Sequence, residues 1–242
     1  MLCQRWSTKS SAALKVPRTL STLSKVARCA FLLLCCCNAS GQATSNIPVL
    51  HQAASIDANE ADERWAFSAS VYVYFPPKAG NYLQPTFTAD HDWLHLEVRY
   101  NYEELDTGSA WVGYNFGGGD KMEWEFSPML GAVFGKLSGV APGYRGSLNW
   151  RRLELYCEGE YIIDTVDSSA SYFYNWSELS LSLLERFRVG AVIQHTHVYQ
   201  TDREIQRGVL VGLSYKRADL TGYVFNPDDH NPTVVIALSV SW

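Results

Sequence analysis

The C-terminal segment of the chain alternates strictly between apolar positions and small or polar ones. Val234, Ile236, Leu238, Val240 and Trp242 share one parity, and mostly Thr, Ala and Ser occupy the positions between them. Successive side chains of a β-strand point to opposite faces, so this period of two predicts a strand with one apolar face. The chain therefore ends on a predicted strand whose last residue is aromatic.

Similar alternating segments recur from position 65 onwards, separated by turn residues, and none has the period of a helix. Pro85 and Pro128 fall inside two segments and predict β-bulges, because proline cannot donate to a strand ladder. The pattern predicts an all-β chain of twelve strands, or of ten if these prolines change the count. The predicted strands are 65–76, 81–90, 93–104, 109–117, 121–135, 143–151, 153–164, 170–184, 187–199, 204–216, 218–227 and 232–242.

The same alternation places charged and apolar residues on opposite faces of the strands. So many carboxylates cannot lie unpaired in a dry core. A closed barrel resolves the problem, with its apolar face towards lipid and its charged face towards water or ion pairs. The side chains predicted to line the lumen are His95, Glu97, Arg99, Glu103, Glu123, Glu125, Arg145, Glu154, Glu158 and Glu160.

The connections between predicted strands alternate between long polar segments, such as 136–142, and tight turns, such as 151–152. Long outer loops opposite short periplasmic turns are expected of outer-membrane barrels. Together with a terminal strand ending at Trp242, this pattern resembles bacterial outer-membrane β-barrel proteins of the porin-like class. The resemblance covers residues 65–242. It implies an antiparallel up-and-down transmembrane barrel that contacts outer-membrane lipid and whose last strand is recognised by the barrel-assembly machinery.

Aromatic residues are abundant, with 8 Trp and 14 Tyr, and several fall near the ends of predicted strands. Barrels of this class carry aromatic girdles at the membrane interfaces. The residues predicted to form these girdles are Trp65, Tyr102, Trp124, Trp150, Tyr215 and Trp242.

Residues 1–43 have the composition of a secretory signal peptide: six basic and no acidic residues, an apolar run at 30–37, and small residues up to Ala43. A transit peptide or a lipoprotein leader is the alternative, but the compact apolar run and the leucines before Cys35 favour secretion. Residues 44–63 are polar and acidic and predict a flexible periplasmic tail. Without the leader, 14 of the 20 basic residues remain against 25 acidic ones, which argues against a nucleic-acid partner.

The charged inner face predicts a narrow passive channel for small solutes or ions, whose net acidic lumen favours cations. Eight-stranded barrels are filled by side chains and sixteen-stranded ones leave an aqueous channel, so twelve strands lie between these cases. The alternative is a barrel plugged by ion pairs, with a structural or surface-interaction role.

An outer-membrane lipid-modifying enzyme is a third hypothesis, but no His is followed two residues later by Ser within a predicted strand. His195 and His197 share a face with Val189 and Ile193, which predicts a position at the lipid-facing rim. We therefore predict no catalytic residue, no metal ligand and no cofactor.

Overall fold

The alternating segments are β-strands in the computed structural model, which describes residues 65–77, 79–198 and 204–242. The predicted signal peptide at 1–43 and tail at 44–63 lie outside the described residues. The strands are β1 (Ala66–Phe75), β2 (Tyr82–His91), β3 (Leu94–Tyr100), β4 (Thr107–Tyr114), β5 (Phe116–Gly118), β6 (Glu123–Gly135), β7 (Gly139–Trp150), β8 (Leu153–Asp164), β9 (Tyr172–Leu184), β10 (Phe187–Val198), β11 (Glu204–Tyr215), β12 (Ala218–Phe225) and β13 (Thr233–Ser241). A 3-10 helix follows β8 at Ser168–Ala170. None of the helices among the described residues is long and apolar enough to cross a membrane.

The strands form one antiparallel sheet that closes on itself, because β1 pairs with β13 and β4 pairs with β6. The short β5 continues β4. The pairing of β4 with β6 reaches Gly113↔Met129, and β5 resumes it at Phe116↔Phe126 in the same register. Pro128, which has no N–H to donate, lies opposite the gap. The barrel therefore has twelve strands, which confirms the predicted fold class and count.

The bulges predicted at Pro85 and Pro128 are wrong. The β1–β2 register runs unbroken through Val71↔Pro85, and the β6–β7 register runs unbroken through Pro128↔Tyr144. β3 pairs with β2 only from Thr86 onwards, so Pro85 lies where β2 has no neighbour on that side. Each proline therefore occupies a position where the strand needs no backbone N–H donor. Neither proline adds the extra residue that a β-bulge requires.

The connections are tight at one end of the barrel and longer at the other. Turns at 92–93, 151–152 and 216–217 each contain a residue with a positive φ angle, at Asp92, Arg151 and Lys216. Tight hairpin turns need this left-handed backbone to follow the twist of their strands. The long connection predicted at 136–142 is wrong, because β7 begins at Gly139 and only 136–138 join it to β6. The tight-turn end faces the periplasm in barrels of this type.

The outer surface of the barrel is an apolar belt. Every barrel strand presents large hydrophobic side chains on its outward face, although such residues are normally buried in soluble proteins. A bilayer in contact with this belt removes it from water. One exposed example from each strand in chain order is Phe75, Leu83, Leu96, Val112, Leu130, Val140, Leu155, Leu179, Ile193, Val211, Leu220 and Leu238.

The interior is not uniformly charged, which the sequence pattern did not anticipate. Tyr74, Ile162, Tyr172, Phe225 and Val235 point inwards near the loop end of the barrel and pack in one buried apolar cluster. The charged and hydroxyl-bearing side chains occupy the rest of the lumen. The barrel therefore combines a packed aromatic region with a polar one, and the candidate site lies in the polar region.

Candidate functional site

Strand β3 supplies the centre of a buried charge network. His95, Glu97 and Arg99 occupy alternate positions of this strand, so all three point into the lumen, where each is almost fully buried. Arg99 Nε donates to Glu97 Oε1 at 2.5 Å. The ring of His95 lies between two carboxylates, with Nδ1 2.7 Å from Asp90 Oδ1 and Nε2 3.0 Å from Glu97 Oε2. These contacts provide the pairing that buried charges require.

The network also crosses the lumen. Arg99 Nη1 donates to Glu160 Oε2 on β8 at 2.9 Å, and Arg145 Nη1 on β7 donates to Glu97 Oε2 at 3.4 Å. β4, β6 and β7 lie between β3 and β8 in the sheet, so these bonds span the interior and do not follow the wall. The Arg99 guanidinium also lies over the Tyr102 and Trp111 rings, 4.3 and 4.7 Å from their centroids. The bridge therefore constricts the barrel at this level.

Several lumen carboxylates receive hydrogen bonds from neutral donors only. Glu158 accepts the hydroxyl protons of Tyr102 and Tyr156. Glu178 accepts Trp176 Nε1–H at 2.7 Å and the Tyr223 hydroxyl at 2.9 Å. Among the described residues, no Lys, Arg or His side chain lies within salt-bridge distance of either carboxylate. Hydrogen bonds from neutral groups therefore take the place of ion pairs at both carboxylates.

A separate ion pair lies nearer the tight-turn end. Arg188 on β10 donates to both carboxylate oxygens of Asp219 on β12, at 2.5 and 3.0 Å, and to Thr221 Oγ1 at 2.6 Å. Ser214 Oγ also donates to Asp219, at 2.7 Å. Such a bidentate arginine–carboxylate contact fixes the orientation of both side chains. It holds the Arg188 side chain against the wall formed by β10, β11 and β12.

The lumen keeps a cavity of about 60 Å³ that is partly open to solvent. One wall, formed by β1, β2 and β13, is neutral and bears hydroxyl and amide groups. The opposite wall is aromatic and charged. Gln84 is 3% exposed and its Nε2 atom has no hydrogen-bond partner among the described residues, so a donor is available at the neutral wall. The neutral wall bears Ser68, Ser70, Gln84, Thr86, Thr88 and Ser239, and the opposite wall bears Glu97, Arg145, Tyr156, Glu158, Tyr174 and Trp176.

No family model matches the chain, and no curated protein matches it. Its barrel is similar to the solved structure of the KdgM porin, with a TM-score of 0.52 and 12% identity over 72% of this chain and 99% of that chain. A structure of the KdgM porin in complex with disordered oligogalacturonate gives a TM-score of 0.53 and 13% identity, over the same shares of the two chains. The chain shares the barrel fold of these porin structures.

The structure places every side chain predicted to line the lumen on the inner face of this barrel or at its mouth. His95, Glu97, Arg99, Arg145 and Glu160 form the bridging network. The other members fall into two groups. Glu103, Glu154 and Glu158 lie inside and are bonded to neutral groups, whereas Glu123 and Glu125 lie at the tight-turn end, where β6 begins.

Tyr102 is not an interface residue, and this prediction was wrong. β3 ends at Tyr100, and Asn101 has a φ of 57°, so the chain leaves the strand and the following side chain reverses its face. The Tyr102 hydroxyl therefore donates to Glu158 inside the lumen. The remaining predicted girdle residues are outward and exposed, and all lie at the tight-turn end: Trp65, Trp124, Trp150, Tyr215 and Trp242.

His195 and His197 lie on the outward face of β10. The His195 ring packs edge-on against Phe173 with centroids 5.9 Å apart. Within the described part of the chain, no group of three or more His, Cys, Asp or Glu side chains is arranged to hold a metal ion.

Sequence reasoning missed Glu178, Arg188 and Asp219, which also point into the lumen. The signal for them was available, because each alternates with apolar neighbours. Glu178 precedes Leu179, Arg188 precedes Val189 and Asp219 precedes Leu220. The contacts that join lumen residues from distant strands had no such signal.

Proposed function

We propose that this barrel is a narrow passive channel for small solutes or ions. The observation that carries the proposal is the solvent-open cavity inside a closed barrel, with a hydroxyl-lined wall facing a charged one. Hydroxyl and amide groups replace the hydration of a passing solute without holding it tightly. The similarity of the barrel to the KdgM porin supports a transport role.

We further propose that the lumen prefers cations and neutral solutes over anions. Glu158 and Glu178 are bonded to neutral donors only, and Glu158 lines the cavity. A dry, low-dielectric wall strengthens the repulsion of an anion by such carboxylates. The oligogalacturonate of the KdgM complex is a chain of sugar carboxylates. An anionic oligomer of that kind is therefore a poor match for this lumen.

Arg145 is the proposed constriction. It lines the cavity, and its contacts with Glu97 and with His95 Nε2 are both 3.4 Å, longer than the other bonds of the network. Long contacts of this kind are weaker than the 2.5–3.0 Å bonds of Arg99. Arg145 is therefore the side chain that decides how wide the path along the hydroxyl wall is.

A plugged barrel is the second candidate, because one observation favours it. The bridging network and the apolar cluster together leave His95, Phe225 and Val235 with at most 1% of their surface accessible. A barrel filled in this way would serve a structural or surface role without passing solutes.

The reversal potential of the protein in planar bilayers under a KCl gradient tests the proposal. In wild type we expect a reversal potential whose sign shows that cations carry most of the current. In Glu158→Gln we expect a reversal potential of smaller magnitude. Glu185→Gln, which removes an exposed carboxylate from a tight turn, is the control and should match wild type. An anion-selective current would contradict the selectivity, and a folded protein that carries no current would support the plugged barrel.

A further inference from the structure

The lipid-facing surface contains a hydrogen-bonded polar patch on β7, β8 and β9. On β9, Tyr174, Trp176 and Glu178 are buried in the lumen, so Asn175 and Ser177 between them point outwards. Within residues 65–77, 79–198 and 204–242, these two are the only Asn, Gln, Ser or Thr side chains on the outward face of a strand. Most other outward positions carry the apolar belt, and the further polar side chains on this face include His195, His197 and Arg207. The two uncharged polar side chains on β9 therefore need a physical reason.

The two side chains belong to a hydrogen-bonded band across three strands. Asn175 Nδ2 donates to the Tyr144 hydroxyl on β7 and to the Glu158 carbonyl oxygen on β8, both at 2.9 Å. Ser177 Oγ donates to Asn175 Oδ1 at 3.0 Å, and Cys157 Sγ on β8 lies 3.1 Å from Ser177 Oγ. We call Tyr144, Cys157, Asn175 and Ser177 the polar band.

The polar band is recessed below the surrounding belt. Gly146, Cys157 and Ser177 are paired in one row across β7, β8 and β9, and all three have small side chains. A Cβ atom on Gly159 would lie 2.9 Å from the Tyr144 ring, so that ring lies flat on the glycine. Cys157 and Ser177 are half-buried, whereas Leu155 and Leu179 beside them are exposed. The surface is therefore a shallow polar recess with an apolar rim.

The internal bonds leave hydrogen-bonding capacity unused. The Tyr144 oxygen accepts from Asn175, but no acceptor for its own O–H lies among the described residues. Asn175 Oδ1 accepts one bond and has a second lone pair. Lipid tails offer neither donor nor acceptor, so these groups are unfavourable in contact with lipid alone.

We propose that the polar band is a contact surface for a second copy of this chain in the membrane. Every group of the band is uncharged, and its hydroxyl, thiol and amide groups provide both donors and acceptors, so the patch complements itself across a two-fold axis. The unused Tyr144 O–H of one copy then has an acceptor in the partner's Asn175. Small residues in the recess allow two barrel walls to approach closely, as they do at interfaces between membrane helices.

Oxidative cross-linking through Cys157 tests this proposal in lipid vesicles that hold the protein without residues 1–43, because those residues contain the other five cysteines. Cys157 lies within the band, so a membrane-permeant oxidant should convert wild type largely to a disulfide-linked dimer. The control is Cys157→Ser/Leu238→Cys, which places the thiol on the outward face of β13, five strands away. Cross-linking of wild type no faster than that of this variant would overturn the proposal.

Tyr144→Phe keeps the ring on Gly159 and removes the hydroxyl, which is both the proposed intermolecular donor and the acceptor of Asn175 within the barrel. Folding and dimerisation are therefore measured separately on this variant. We expect the dissociation constant of the dimer, measured by energy transfer between labelled copies at varied protein-to-lipid ratio, to rise about tenfold, equivalent to about 1.4 kcal/mol. Protease resistance should show that the variant is folded. If the folded variant dimerises as wild type does, the hydrogen bonds of the polar band act only within one barrel.

Discussion

At the scale of single residues, the lumen depends on Arg99 more than on any other charge of the network. Its guanidinium bonds to Glu97 and Glu160, both almost fully buried, and packs against Tyr102 and Trp111. Burying charges is unfavourable unless partners compensate them. Removing the shared partner therefore affects two carboxylates on opposite sides of the lumen.

Arg99→Met should lower the free energy of unfolding by about 3–5 kcal/mol, because it leaves two buried carboxylates without their cation. Urea unfolding of the barrel in lipid vesicles measures this change. Lys121→Met, at an exposed turn position, is the control and should have little effect. Equal stability of Arg99→Met and wild type would show that water, and not Arg99, satisfies these carboxylates.

Arg145→Ala should increase the conductance of the channel, because Arg145 lines the cavity and spans towards Glu97 through 3.4 Å contacts. Conductance in planar bilayers measures the effect, with Arg151→Ala in a tight turn as the control. An unchanged conductance in Arg145→Ala would place the constriction elsewhere in the lumen.

At the scale of strands, alternation identifies faces well because one face meets lipid and the other does not. This predicted all twelve barrel strands and the apolar face of the last strand with Ile236, which the structure shows pointing outwards. It failed where the alternation ends. Asn101, with its left-handed backbone, reverses the face of Tyr102, and no residue pattern marked that change. The partners of Arg99 across the lumen depend on the stagger of the closed sheet, which local sequence does not encode.

Placing arginine on the lipid face should destabilise the barrel. Leu96→Arg or Ile236→Arg should each lower the free energy of unfolding by about 2–4 kcal/mol if these positions lie near the bilayer midplane. Unfolding in vesicles measures the effect, and Ile236→Ala controls for the loss of side-chain volume. If neither arginine variant has a lower free energy of unfolding than that control, these faces do not contact lipid.

The terminal strand closes the barrel, and we propose that its last residue also serves as an assembly signal. Trp242 exchanges backbone hydrogen bonds with Phe67, at 2.9 and 3.0 Å, and its ring lies 6.0 Å from that of Phe67. Deleting Trp242 should reduce the amount of barrel in the outer membrane of cells more than it reduces refolding into vesicles. Normal cellular levels would count against recognition of this residue by the barrel-assembly machinery.

At the scale of the whole molecule, closure and filling of the barrel have opposite consequences for function. Closing twelve strands removes the free sheet edges and allows the backbone to be satisfied within lipid. The apolar cluster and the bridging network then fill much of the interior, but a cavity remains along the hydroxyl wall of β1, β2 and β13. Whether a solute can pass is therefore decided by this remaining space and by Arg145 beside it.

Single-channel recording of the protein, refolded into a planar bilayer without residues 1–43, tests the channel most directly. We predict discrete conductance steps with a preference for cations, and a weaker preference when Glu123 and Glu125 at the tight-turn mouth become Gln. Protein that is demonstrably folded and inserted but gives no steps would contradict the channel and establish a plugged barrel.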